Sequence, residues 1–121
     1  MKSILVVEDD PFVVDIYITK LESAGFSVEV AEDGEEALRK LKEKKPDLMV
    51  LDIVLPNIDG WELLKIIRTE MSLGDLKVVV LSNLSQKEEI QKGLALGVMR
   101  HFVKANFTPS EVVEEIKKIL K

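Results

Sequence analysis

Apolar positions in this chain fall into two alternating rhythms. Short β-branched runs, Ser3 to Val7 (SILVV), Ser27 to Ala31 (SVEVA), Asp47 to Leu51 (DLMVL), Lys77 to Leu81 (KVVVL) and Met99 to Val103 (MRHFV), read as strands. The first, third and fourth are apolar at consecutive positions, as central parallel strands covered on both faces should be. Between them lie longer stretches with helical spacing and their own start signals. Asp33, Asp59, Ser85 and Thr108 each stand three residues before Glu36, Glu62, Glu88 and Glu111, the capping-box spacing, and Pro11 and Pro109 sit where a first helical turn accepts proline. Gly25 and Gly97 follow the first and fourth helices, where a left-handed cap is wanted. The result is (βα)5, with no internal repeat, low-complexity tract or linker.

Five such units predict an α/β fold, a doubly wound five-stranded parallel sheet with helices on both faces, since right-handed crossovers allow little else. In the flavodoxin-like order 2-1-3-4-5, ligands bind beyond the carboxyl ends of the strands, at the switch point between strands 1 and 3. The first strand ends in Glu8, Asp9 and Asp10, and the third runs into Asp52, a carboxylate set in the apolar run DLMVLDIVLP. Carboxylates held ~5 Å apart repel by roughly 3 kcal/mol at an effective dielectric near 20. A hard divalent cation offsets that repulsion, and without nearby imidazole or thiolate an all-oxygen Mg2+ site formed by Glu8, Asp9 and Asp52 is the fitting choice. Asp10, directly before Pro11, is expected to cap the first helix instead of binding metal. Ser82 ends the fourth strand and Lys104 the fifth, so a hydroxyl and an ammonium reach the same edge. Together with the metal they suit a phosphoryl group on Asp52, neutralising its oxygens during transfer.

Composition agrees with a single soluble domain. The 121 residues are 46% hydrophobic and 32% charged, a globular balance, and no apolar run approaches the ~20 residues of a membrane span. With no signal-peptide pattern at the start, a cytoplasmic location is expected. Zero cysteines exclude disulfides and thiolate sites, and a net charge of -5 with scattered lysines gives no patch for direct nucleic acid binding.

The segments ILVVEDDP, PDLMVLDIVLPNIDGWELL, VVVLSN and FVKA, in this order and spacing, resemble the receiver domain of two-component response regulators over the whole chain, residues 1–121. The resemblance implies a signalling switch, not a metabolic enzyme. Asp52 would be the phosphoacceptor, Asp9 a direct Mg2+ ligand, Glu8 an outer one acting through water, and the main-chain carbonyl of Val54 a further ligand. Ser82 and Lys104 would hold the phosphoryl oxygens. Ser82 would also move toward the phosphoryl group and release space for the residue at position 101, the family's aromatic switch position. Here that residue is His101, and a half-buried histidine on an edge strand is an equal alternative to a switch role. A second departure is Ala105 after Lys104 where the family usually has a cis proline; a trans peptide is expected, because a non-proline cis bond costs about 2.5 to 4 kcal/mol. A third is the apolar pair Val54 and Leu84, where many relatives carry polar groups that position hydrolytic water; with Asn83 narrowing access, slow self-dephosphorylation follows.

The resemblance implies a sensor histidine kinase or phosphotransfer protein as donor. A downstream protein or output domain would be met through the fourth helix, fifth strand and fifth helix, with Leu84, Ile90, Leu94, Met99 and Val113 as apolar contacts. Flavodoxin-like electron carriers share the topology, but the EDD after strand 1 would repel a flavin phosphate. Haloacid-dehalogenase-type phosphatases usually need a second Asp two residues after the nucleophile, where this chain has Val54. A phosphorylation-independent interaction receiver is the remaining alternative, and the full set of pocket residues argues against it.

Overall fold

The computed structural model describes residues 1–83 and 86–121. Its strands are β1 (Ser3–Val7), β2 (Ser27–Ala31), β3 (Leu48–Leu51), β4 (Lys77–Ser82) and β5 (Arg100–Val103). The helices are α1 (Pro11–Ser23), α2 (Gly34–Glu43), α3 (Gly60–Thr69), α4 (Lys87–Ala95) and α5 (Pro109–Ile119). All strand pairs are parallel and the order is β2-β1-β3-β4-β5, as the alternating pattern requires.

The three central strands divide their apolar residues by alternation. Leu5, Val7, Met49, Leu51, Val78 and Val80 face α2 and α3, whose Ala37, Leu41, Leu63, Leu64 and Ile67 complete one buried layer. The intervening Ile4, Val6, Leu48, Val50, Val79 and Leu81 face α1 and α5 and meet Leu21, Phe102, Val112 and Ile116. Burial on both faces is what made these strands read as unbroken apolar runs.

Most punctuation signals act as read. Asp10 accepts the Phe12 N–H (2.9 Å), Asp33 the Glu36 N–H (2.8 Å) and Asp59 the Glu62 N–H (2.9 Å). Thr108 and Glu111 form a reciprocal capping box. The Ser85 cap lies outside the described residues. Gly25 and Gly97 take φ of 95° and 78°, where a Cβ would be strained. Three strand ends move by one residue. Asp47 stands outside β3, its carboxylate accepting the Ser3 N–H at 2.7 Å, β4 extends to Ser82, and β5 begins at Arg100 instead of Met99. One expected surface contact is corrected: Val113 is 5% exposed, taken up by the α1/α5 layer because it faces inward on the apolar side of α5.

Candidate functional site

Strand register brings the polar residues together. Val7 pairs with Leu51, so Glu8 and Asp52 leave adjacent strands at the same level. Their main chains are fixed on both sides, Asp52 N–H donating to the Val7 carbonyl and Glu8 N–H to that of Ala31, each at 3.0 Å. Ser82 pairs with Val103, and the Lys104 N–H donates to the Ser82 carbonyl at 2.8 Å, which sets Lys104 at the same edge. The site is thus mounted on strand ends, with little dependence on loop conformation.

One ligand oxygen each from Glu8, Asp9 and Asp52 lies within 4.8 Å of the others. Glu8 and Asp52 are buried, whereas Asp9 is exposed. Lys104 Nζ lies 3.4 Å from Asp52 Oδ2 and 3.6 Å from Glu8 Oε1, bridging the two buried acids. The other Asp52 oxygen accepts the Val54 N–H at 3.2 Å. One ammonium does not balance three carboxylates. Burial, a hydrogen bond with Asp52 and that residue's negative charge push Glu8 up to about 8, against the opposing pull of Lys104. Without a further cation, Glu8 therefore keeps its proton to higher pH than an ordinary carboxyl does. Oxygen-only donors at this spacing fit a hard divalent ion, Mg2+ foremost.

Ser82 is fully buried at the end of β4. His101 is half-buried on the edge strand β5, its ring centroid 6.4 Å from that of Trp61. The Lys104 to Ala105 peptide is trans, as expected. Val54 is 65% exposed beside the acids, and Leu84 lies outside the described residues. Asp10 caps α1 and takes no place among the clustered oxygens. Sequence reasoning missed Tyr17. It is buried on α1, and burial together with the charge of Glu8 raises its hydroxyl well above the usual range. On the sequence it is one more residue of an apolar helical stripe.

A family model described as the response regulator receiver domain matches residues 4–117. The chain belongs to the response regulator receiver domain family. This receiver domain is 41% identical, over 122 residues, to the alkaline phosphatase synthesis transcriptional regulatory protein PhoP of Bacillus subtilis, covering 99% of the chain and 49% of that protein. It is 34% identical over 120 residues to the phosphate regulon transcriptional regulatory protein PhoB of Escherichia coli, covering 99% and 52%. The chain thus spans about half the length of these curated relatives. Among solved structures, the Vibrio cholerae chemotaxis protein CheY4 matches with a TM-score of 0.89 at 28% identity, covering 98% of both chains. A CheY-like receiver domain protein from Methanospirillum hungatei matches with a TM-score of 0.89 at 30% identity, covering 99% of this chain and 94% of that one. The receiver domain is a signalling switch of two-component systems, a family that binds Mg2+ at an acidic pocket and interacts with histidine kinases and output domains. No helix among the described residues is long and apolar enough to cross a membrane.

Proposed function

We propose that residues 1–121 form one receiver unit that takes a phosphoryl group onto Asp52 from a sensor histidine kinase or phosphotransfer protein in the cytoplasm. The observation that carries this reading is the clustering of the Glu8, Asp9 and Asp52 oxygens within 4.8 Å beside the Lys104 ammonium at 3.4 Å from Asp52. Asp9, Asp52 and the Val54 carbonyl would hold Mg2+ directly and Glu8 through water. When bound, Mg2+ supplies positive charge to the transferring oxygens. An Asp52 carboxylate oxygen forms the new P–O bond as the donor's P–N bond breaks, and the leaving imidazole keeps the electron pair and takes a proton. The Val54 N–H and Lys104 orient the carboxylate from its two oxygens, and Lys104 then neutralises a phosphoryl oxygen. Ser82 donates its hydroxyl to another and couples the pocket to His101.

The partner face of this reading is α4, β5 and α5. On α4, Leu94 is 64% exposed and Ile90 half-buried, and Met99, just before β5, is 46% exposed. Incubation with a small phosphoramidate donor and Mg2+ should give a one-phosphate mass gain, lost in Asp52→Asn. An unmodified wild-type chain under those conditions would overturn the reading in favour of a phosphorylation-independent interaction receiver.

A further inference from the structure

α4 has little apolar anchorage. Within Lys87–Ala95 only Gly93 is buried, and Gln86 gives the helix no side-chain cap. Among the described residues, α3 ties the helix down with two polar contacts and one ring contact. The Trp61 indole N–H donates to the Glu89 carboxylate, which holds that carboxyl below its usual range. The same ring lies against Gly93 so closely that a Cβ there would stand 3.2 Å from it. At the far end of α4, the Arg68 guanidinium donates to the carbonyls of Leu96 (2.8 Å) and Gly97 (3.3 Å), and it also binds those of Leu73 (2.8 Å) and Leu76 (2.7 Å).

The two ties differ in how easily they open. Arg68 is joined to four carbonyls, so releasing it strands several groups at once. Glu89 makes one bond to α3, its Oε2 accepting from Trp61, while its Oε1 already accepts from Lys92 of its own helix at 3.3 Å. Trp61 also neighbours His101 and follows Gly60, whose N–H donates to the Ile53 carbonyl at 2.8 Å, next to Asp52. The indole is therefore common to α4, position 101 and the loop leaving Asp52.

We propose that the Trp61–Glu89 hydrogen bond is a releasable latch on α4, that the helix swings about its Arg68-held end, and that opening is linked to occupancy of Asp52. The linkage rests on the phosphoacceptor reading; the latch does not. A closed latch lowers the population of the released helix, so a phosphoryl mimic that favours release binds more weakly in its presence.

Amide hydrogen exchange over residues 87–95, measured without phosphoryl donor, tests the latch. Glu89→Ala removes the acceptor and leaves the indole in place, whereas Trp61→Phe removes the donor together with the outer indole ring that lies against Gly93; both should speed exchange roughly tenfold. Lys92→Ala, which removes only the ion pair, should not. Exchange unchanged in both latch variants would overturn the latch. Titration with beryllofluoride and Mg2+ tests the linkage, and apparent affinity should rise by a similar factor in both variants. Faster exchange with unchanged affinity would overturn the linkage. A wild-type chain that does not bind beryllofluoride would count against the phosphoacceptor reading instead, with the exchange result still deciding the latch.

Discussion

Lys104 stands between Asp52 and Glu8 at 3.4 and 3.6 Å, so its ammonium competes with any cation drawn to the same oxygens. Lys104→Ala is expected to leave Mg2+ binding intact or slightly tighter while impairing the response to a phosphoryl donor. A metal titration and a donor assay on the same variant separate the two effects. Asp9→Ala removes an exposed carboxylate that has no hydrogen bond to lose among the described residues, and should weaken Mg2+ binding by at least about tenfold, or 1.4 kcal/mol. An unchanged titration would remove Asp9 from the ligand set. The Val54 side chain can neither hydrogen-bond water nor take its proton. Val54→Asn should therefore shorten the phosphoryl lifetime after donor removal, measured with Mg2+ present. Asp52 was legible in the sequence because a carboxylate inside an apolar strand run calls for a partner. The Trp61–Glu89 pair was not, since it joins residues on two helices through tertiary packing and leaves no periodic trace in either.

At the scale of elements, the termini were easier to read than the clamps. The caps of α2, α3 and α5 join side chains to main-chain N–H groups three positions away, within reach of local sequence. Thr108→Ala should cost about 1 kcal/mol by breaking a reciprocal cap, read as a shift in the denaturant midpoint. Strand ends moved by one residue because pairing is decided by the neighbouring strand, and the Asp47 carboxylate takes the Ser3 N–H as the chain enters β3. The role of Arg68 was invisible beforehand. Its acceptors are carbonyls of Leu73, Leu76, Leu96 and Gly97, which any residue types could supply. Arg68→Ala leaves these groups in partly buried surroundings and should destabilise the domain by roughly 2 to 3 kcal/mol. A loss as small as that of an exposed helix pair would refute the clamp.

Across the whole molecule, the acidic edge makes stability depend on pH and metal together. Glu8 keeps its proton up to about 8 in the folded chain, against an ordinary value of 4.5. Between those two values the folded protein binds more protons than the unfolded one, so stability falls as pH rises. Thermal unfolding without metal should show this decline, and Glu8→Gln should flatten it. Mg2+ should stabilise the wild-type chain more at pH near 8 than near 5, because it takes over the proton's role; equal stabilisation at both would refute the exchange. The strand order was readable at this scale because five right-handed crossovers leave few arrangements. The division of labour between strand ends and helix surfaces has one more consequence. The reacting groups hang from main chain locked into the sheet, whereas Phe12 and Leu94, 80% and 64% exposed, belong to neither buried layer. Recognition can then be rewritten by surface exchange alone, which makes this scaffold suited to rewiring: a library varied at such helix positions should yield altered partner preference while acceptor chemistry and melting temperature stay near those of the parent.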